Sequence, residues 1–338
     1  MLEVKTASAT YTLPASELDI DSVSMQLGQN VSLQDIKVEI EIAKPSANVV
    51  KMVENAAKTG DFAIMVPAVE FVINCTCSDK MVNVSRFNSY VERTVAIPDG
   101  IDRTKITTGI IVSPDGTVRH VPTQIIQING KYYAKINSLT NSIYTVVSYT
   151  IEFSDIVNHW AKDAINNMGS RMIVTGMGNG NYNPDGDITR GEFAAIVVRA
   201  LGLETGRGEY KFSDVKATNW FSGYIETASK YGIINGYNES TFAPNDKITR
   251  EQAMTMIARA MKITGLESSL KDNENYTVLK GYSDAEDIAD YAKSSIVSCL
   301  KTGVVSGTSS NTLAPKGNIT RAEVALIIER LLEKSKLI

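Results

Sequence analysis

The chain has 338 residues, enough for two or three domains with hydrophobic cores of their own. It carries 34 Lys and Arg against 38 Asp and Glu, and this net charge of −4 gives no electrostatic basis for binding nucleic acid. Three cysteines are too few for a disulfide framework, and only two histidines, His120 and His159, are available for histidine-dependent catalysis.

The sequence contains no signal for a membrane. No apolar stretch approaches the roughly 20 residues that a membrane-spanning helix needs, and no polybasic run predicts attachment to a lipid surface. Residues 1–5 lack the basic and apolar regions of a signal peptide. The protein is therefore either cytosolic or a piece of a longer exported protein.

The first 150 residues follow the pattern of β-strands. Residues 36–42 and 69–77 alternate between apolar and other side chains, as half-buried strands do. Turn sequences at 114–116 and 129–130 interrupt apolar runs, and their Gly and Asn residues accept the backbone angles of a hairpin. We predict a small β-sandwich over 1–150.

One segment of this region departs from the strand pattern. In residues 46–58, Val49, Val53 and Ala56 follow helical spacing behind Ser46, a residue suited to an N-cap. We therefore expect a single helix within the β-domain.

From about residue 151 the periodicity becomes helical, and a tandem repeat occurs three times. Ile, Gly, Pro and Arg recur at fixed offsets, with 25 residues between Ile and Arg in every copy. The positions are Ile165, Gly176, Pro184 and Arg190, then Ile225, Gly236, Pro244 and Arg250, then Ile296, Gly307, Pro315 and Arg321. Each copy predicts a helix, a glycine-containing loop and a second helix, and three such units should share a core.

We expect the first repeat over 151–204, the second over 210–266 and the third over 280–338. A polar linker over about 266–281 joins the last two. Each repeat opens with an aromatic residue, Ser and Asp, and a further aromatic residue follows near the first helix. These Asp and aromatic residues are Asp155 and Trp160, Asp214 and Trp220, and Asp284 and Tyr291.

The start of the second helix of each repeat fits a capping box. Thr at the N-cap and Glu or Gln three residues later satisfy each other's neighbouring backbone N–H groups. The pairs are Thr189 with Glu192, Thr249 with Gln252, and Thr320 with Glu323. We predict structural roles for all six.

The arginines that follow these Thr residues are different, because each places a cation against the positive end of a helix. Two compensating partners fit the sequence. One is an internal carboxylate, for which Asp155, Asp214 and Asp284 are candidates. The other is an external anion held beside free helix N–H groups. Arg190, Arg250 and Arg321 are therefore the first candidates for a binding site.

Two further groups of residues belong to the predicted site. Trp160, Trp220 and Tyr291 either stack on a sugar or anchor the core. The loop glycines supply a backbone conformation that a side chain would forbid and give a ligand access to the main chain. These glycines are Gly176, Gly236 and Gly307.

Residues 181–192 match the spacing of a calcium-binding EF-hand loop, with Gly186 at the sixth position and Glu192 at the twelfth. The other two repeats lack the ligands, and the capping box already explains Glu192. We therefore predict no metal site and no cofactor. No nucleophile, phosphate loop or histidine cluster indicates an enzyme.

The repeated pattern of Phe-Ser-Asp, Trp-Ala, Gly, Pro and Ile-Thr-Arg-x-Glu resembles the S-layer homology (SLH) domain of bacterial surface proteins. The resemblance covers about 153–338. It implies an all-α module with pseudo-threefold symmetry that binds pyruvylated N-acetylmannosamine of the secondary cell-wall polymer in grooves between repeats. This sequence departs from the family at 189–192 (Thr-Arg-Gly-Glu), at 249–252 (Thr-Arg-Glu-Gln) and at Tyr291, where Trp is usual.

On this resemblance we expect an extracellular protein that the module anchors to cell-wall polysaccharide. The expected polysaccharide-binding residues are Arg190, Arg250, Arg321, Trp160, Trp220, Tyr291, Asp155, Asp214, Asp284, Gly176, Gly236 and Gly307. Three alternatives stay open. The chain is the anchoring segment of a wall-bound enzyme such as a glycoside hydrolase, a subunit that assembles into a surface lattice, or a calcium-dependent docking module.

Overall fold

The computed structural model describes residues 1–28, 31–206, 208, 211–270 and 276–338. They divide into two compact units, Met1–Thr150 and Ile151–Ile338. Part of the expected linker, residues 271–275, lies outside the described residues. No described helix has both the length and the apolar character needed to cross a bilayer.

The N-terminal unit contains two antiparallel sheets. The described strands are β1 (Leu2–Lys5), β2 (Ala9–Leu13), β3 (Lys37–Ala43), β4 (Ala63–Cys77), β5 (Lys80–Asn83), β6 (Arg86–Ala96), β7 (Thr108–Val112), β8 (Val118–Val121), β9 (Thr123–Ile128), β10 (Lys131–Thr140) and β11 (Ile143–Ser148). One sheet has the strand order β1-β2-β6-β10-β9, and the other has the order β3-β4-β11-β7-β8 with β5 paired to β4. The predicted sandwich-like region is confirmed.

The core of this unit contains a fully buried cation, Arg93. Its guanidinium carbon lies 4.8 Å from the ring centre of Tyr11 and 5.0 Å from that of Tyr144. Nη2 donates to the Thr140 carbonyl at 2.8 Å and to Asn141 Oδ1 at 2.7 Å. Ring faces from both sheets, together with the Thr140 and Asn141 oxygens, therefore replace much of the water that a buried cation loses.

The predicted helix in this unit is α2 (Ala47–Gly60), and Ser46 Oγ accepts from the Val49 N–H as an N-cap. The expectation of a single helix is wrong, because residues Ile20–Leu27 form a further helix, α1. Asp19 caps it by accepting from the Ser22 N–H. Only two apolar side chains of α1 are buried, so its short and mostly polar sequence carries little periodicity.

The C-terminal unit contains three helix pairs, one for each sequence repeat. The helices are α3 (Lys162–Ser170) and α4 (Arg190–Ala200), α5 (Ser222–Lys230) and α6 (Arg250–Ile263), and α7 (Lys293–Thr302) and α8 (Arg321–Lys334). The second helix of each pair packs on the first helix of the next pair, so α4 contacts α5 and α6 contacts α7. The last helix, α8, returns to α3 and closes the series.

Three isoleucines join the repeats at the centre of this unit. The Ile188 N–H donates to the Ile319 carbonyl at 3.2 Å, the Ile319 N–H to Ile248 at 3.1 Å, and the Ile248 N–H to Ile188 at 3.1 Å. All three side chains are completely buried. Each repeat thus supplies one donor and one acceptor to a closed cycle of backbone hydrogen bonds.

Deletion of residues 282–338 should destroy cooperative folding of the C-terminal unit. Without the third repeat, the Ile188 N–H loses its acceptor, and the apolar faces of α3 and α6 lose the helices that cover them. We expect circular dichroism of the truncated chain to give a broad thermal transition, with aggregation on gel filtration.

Residues 151–338 without the N-terminal unit are the control and should melt in one cooperative transition, because all three repeats are retained. If the truncated chain melted as sharply and at the same temperature as this control, the repeats would be independent folding units.

Candidate functional site

The three capping boxes predicted from the sequence are present. Each Thr Oγ1 accepts from the backbone N–H three residues later, and the Glu or Gln at that position accepts from the Thr N–H. Thr189, Thr249 and Thr320 are therefore N-caps that fix the start of α4, α6 and α8.

The next backbone donors of these helices are not free. In each case the N–H groups of the first two helical residues donate to carbonyls in a loop of another repeat, at 2.8–3.0 Å. The bonds run from Arg190 to Asp246, Gly191 to Pro244, Arg250 to Gly317, Glu251 to Pro315, Arg321 to Gly186, and Ala322 to Pro184. The free helix N–H groups that one of the two interpretations assumed are therefore not available at these positions, because neighbouring repeats already use these donors, and an external anion at the arginines stays a prediction.

The three arginine side chains reach in the same direction as these backbone bonds. They are only 3%, 4% and 6% exposed for Arg190, Arg250 and Arg321. Each donates from Nε and Nη2 to two carbonyls of the next repeat. Its Nη1 faces the Glu or Gln of that repeat's capping box. The partners are Phe242, Asn235 and Gln252 for Arg190, Leu313, Ser306 and Glu323 for Arg250, and Tyr182, Thr175 and Glu192 for Arg321.

Burial lowers the pKa of two of these arginines without removing their charge. Loss of water lowers the pKa of Arg190 and of Arg250 below the usual value for arginine. The Glu323 carboxylate acts against this shift at Arg250. Arginine nevertheless stays protonated in proteins. Each arginine is therefore a fixed positive charge that links two repeats.

The three aspartates do not pair with the arginines. Each carboxylate instead accepts two backbone N–H groups from the loop of its own repeat, at 2.6–3.0 Å. The pairs are Asp155 with Tyr182 and Asn183, Asp214 with Phe242 and Ala243, and Asp284 with Leu313 and Ala314. The second residue of each pair has a positive φ, and the carbonyl of the first accepts from an arginine. The aspartates thus position the carbonyls that hold the arginines.

The loop glycines are required for space and not for an unusual backbone angle. Gly176, Gly236 and Gly307 do not have positive φ, contrary to the expectation. A Cβ on Gly236 would lie 2.4 Å from the Thr241 carbonyl oxygen and 2.5 Å from that of Asn238. The main chain of each loop therefore folds back on itself at the glycine, next to the carbonyl that receives Nη2 of an arginine.

The aromatic residues near the first helices are exposed, so they do not anchor the core. The exposed fractions are 63% for Trp160, 57% for Trp220 and 56% for Tyr291. Core packing at the start of each repeat comes from Phe153, Phe212 and partly from Tyr282. A sugar could stack on the exposed rings, as the first of the two sequence interpretations requires.

Two grooves combine these groups. The groove at the Arg190 site has a volume of about 370 Å³ and includes Gly236, Gln252, Arg259 and Tyr291. The equivalent groove at the Arg250 site has a volume of about 270 Å³ and includes Gly307, Glu323, Arg330 and Trp160. In both, the aromatic residue, the buried arginine and the glycine loop come from three different repeats.

Both grooves contain a second arginine that the sequence analysis missed. Arg199, Arg259 and Arg330 follow the first arginine by nine residues in every repeat, a spacing visible in the sequence. All three are half-buried. Arg330 Nη1 donates to Ser306 Oγ at 3.3 Å, and Arg259 Nη1 to the Ile233 carbonyl at 3.4 Å.

The corresponding residues around Arg321 are arranged differently. Arg199 lies 4.8 Å from the ring centre of Tyr224 and 5.9 Å from that of Trp220. Its Nε also donates to Tyr224 Oη at 3.3 Å. Here the second arginine rests on the protein's own aromatic rings.

The segment with EF-hand spacing is used for other bonds. Glu192 accepts from the Thr189 N–H and faces Arg321, and Asp187 Oδ2 accepts from Asn318 Nδ2 at 2.8 Å. Within the part of the chain that the structure describes, no group of three or more His, Cys, Asp or Glu residues is arranged to hold a metal ion.

Comparison with protein families gives a match in the same part of the chain. The S-layer homology domain model matches residues 152–194, 211–254 and 281–325. The C-terminal unit carries three SLH domains. The arginines, capping boxes and glycine loops described above all lie within or directly beside these segments. These domains support anchoring at the cell surface and indicate an extracellular protein associated with the cell wall.

Similar proteins include enzymes and surface-layer proteins. The chain is 39% identical over 213 residues to an amylopullulanase of Thermoanaerobacterium thermosulfurigenes, covering 62% of this chain and 11% of the relative. It is 40% identical to exoglucanase XynX of Acetivibrio thermocellus, with 58% and 18% covered. It is 30% identical to a surface-layer 125 kDa protein of Lysinibacillus sphaericus, with 58% and 16% covered. The chain spans less than a fifth of the length of each.

Gly236→Ala should destabilise the C-terminal unit by about 1–3 kcal/mol, because the new Cβ meets two backbone oxygens that cannot move independently. In a domain of this size this lowers the melting temperature by several degrees, which thermal unfolding followed by circular dichroism will detect.

Gly281→Ala is the matched control, since a Cβ there meets no atom within 4 Å. It should melt within about a degree of the unaltered protein, as expected for an uncrowded exposed position. Equal melting temperatures for both variants would contradict the close backbone approach at Gly236.

Proposed function

We propose that the C-terminal unit is an all-α module of pseudo-threefold symmetry, with SLH repeats over 151–204, 210–266 and 280–338. It attaches the protein non-covalently to the bacterial cell wall by binding a pyruvylated secondary cell-wall polysaccharide between repeats. The observation that carries this proposal is the composition of the two grooves. Each joins a buried arginine, a second arginine and an exposed aromatic ring from different repeats.

The chemistry of such a groove suits an acidic sugar. The carboxylate of a pyruvyl group accepts hydrogen bonds from guanidinium N–H groups, and each charge-assisted bond of this kind contributes roughly 1.5–3 kcal/mol. The sugar ring stacks on Trp160 or Tyr291, and the loop glycine leaves room for it beside the main chain. Several modest sites on a repeating polymer then give strong overall attachment through effective concentration.

The two arginines of a groove have different roles in this proposal. Arg190, Arg250 and Arg321 already hold neighbouring repeats together, so replacing them costs stability as well as ligand binding. Arg259 and Arg330 make fewer bonds to the protein. We therefore assign them the more direct contact with the ligand. The aspartates Asp155, Asp214 and Asp284 support the sites by fixing the loop carbonyls.

A second candidate function is the anchoring segment of a longer wall-bound enzyme, with catalysis in a domain outside this chain. The similarity to the amylopullulanase and to exoglucanase XynX supports it, because both of these relatives are named as enzymes and the chain covers only a small part of each. A lattice-forming surface protein is the third candidate, and self-assembly of the purified protein into sheets would distinguish it. We propose no catalytic activity for residues 1–338 themselves.

Trp160→Ala should weaken binding to purified cell-wall sacculi by about tenfold, equivalent to roughly 1.4 kcal/mol, through loss of the stacking surface at the Arg250 site. The melting temperature should change by no more than about two degrees, because the ring is largely exposed. Co-sedimentation with sacculi measures the affinity.

Tyr231→Ala removes another exposed ring that lines neither groove, and it should bind as the unaltered protein does. Sacculi from which the polysaccharide has been chemically removed should bind neither the Tyr231→Ala variant nor the unaltered protein. Equal binding to intact and stripped sacculi would overturn the proposed function.

A further inference from the structure

The three sites differ in the capping-box residue, Glu or Gln, that faces the buried arginine. Two sites use a carboxylate and one uses a neutral amide. The distances from Nη1 to Oε1 are 2.6 Å from Arg250 to Glu323, 3.7 Å from Arg321 to Glu192 and 3.3 Å from Arg190 to Gln252. Arg190 alone among these three is not opposed by a glutamate at this position.

The carboxylate missing from position 252 is found one residue earlier, at Glu251. It is buried, and its hydrogen bonds go to groups other than the Arg190 guanidinium. Oε1 accepts from Tyr291 Oη at 3.1 Å and from Lys316 Nζ at 2.7 Å, and Oε2 accepts from the Ala289 N–H at 3.1 Å. The helix keeps an acidic residue in its first turn, but Lys316 neutralises that residue and it does not offset the charge of Arg190.

The carboxylate at position 251 also holds Tyr291, the aromatic residue that lines the Arg190 groove. Tyr291 stands where the other two repeats have Trp, and only a tyrosine offers a hydroxyl to Glu251. Burial and then the Glu251 carboxylate raise the pKa of Tyr291 to about 12, so the hydroxyl stays protonated and donates. Two of the three departures from the family pattern, at 249–252 and at Tyr291, thus belong to one network that holds the ring beside Arg190.

The consequence is a difference in charge between the grooves. The described lining of the Arg190 groove contains two arginines, Arg190 and Arg259, and no Asp or Glu. The lining of the Arg250 groove contains two arginines and Glu323. A ligand carboxylate entering the second groove competes with Glu323 for the Arg250 guanidinium and is repelled by it. No Asp or Glu lines the first groove, where Asp246 and Asp214 act on Arg190 as charges from outside the described lining.

Given the proposed function, on which this inference rests, we propose that the Arg190 site is the principal anion-binding site of this chain. It takes the carboxylate of the acidic sugar first. At the other two sites a glutamate already pairs with the arginine, Glu323 with Arg250 and Glu192 with Arg321. These two sites therefore bind the same group more weakly. The three arginine sites are therefore unequal in affinity.

Exchange of the capping residues tests this ranking. Gln252→Glu restores the family residue, so we expect an ion pair with Arg190, an unchanged or higher melting temperature, and an affinity at least tenfold lower. Glu323→Gln makes the reverse change and should strengthen binding at the Arg250 site several-fold. The probe is a methyl glycoside of pyruvylated N-acetylmannosamine, measured by isothermal titration calorimetry on the whole chain.

Gln34→Glu adds the same charge on the exposed surface of the β-unit and should leave the affinity unchanged. If Gln252→Glu bound the glycoside as tightly as the unaltered protein while intact sacculi were still preferred to stripped ones, the ranking would be wrong and the proposed function would stand. If the unaltered protein bound stripped and intact sacculi equally, both would be wrong. The melting curve of each sample shows whether the variant is folded, so that a loss of affinity caused by unfolding is recognised.

Discussion

The C-terminal unit depends on a single constraint, namely that the start of each second helix is completed by another repeat. The backbone donors of the first two helical residues, and the arginine side chain, all bond to a loop of the neighbouring repeat. A helix leaves its first N–H groups without partners inside the helix, and burying them unpaired is costly. One repeat alone therefore cannot satisfy its own helix start, and the central cycle of isoleucines follows from the same arrangement.

The same constraint explains an arginine at the positive end of a helix. The unfavourable interaction with the helix dipole is offset because the guanidinium reaches the next repeat. There it donates hydrogen bonds to two carbonyls and contacts the Glu or Gln of the capping box. The aspartate of the receiving repeat fixes one of those carbonyls. A residue that joins two repeats in this way also brings a positive charge to the boundary between them, where a groove can form. Stability and the candidate site therefore share the same side chains.

Much of this could be predicted from the sequence, because local signals are strong. The Thr caps, the strand alternation in β4 and the N-cap at Ser46 depend on residues near in sequence, and all were confirmed. Helix α1 was missed because two buried residues give no periodicity. The true partners of the arginines lie 45–146 residues away, and no local pattern specifies them. Gly236 is required because a side chain there would collide with backbone atoms of the same loop, and no sequence pattern shows this close approach.

The return of α8 to α3 has a consequence for the order of folding. Asn167 Nδ2 donates to Glu329 Oε1 across 162 residues, and Arg321 reaches back 146 residues to Thr175. Contacts so distant in sequence require closing a long loop before they contribute, which slows folding. During synthesis the first repeat emerges long before its last contacts exist. The first repeat therefore stays incomplete until α8 has been synthesised, and the C-terminal unit cannot close before that point.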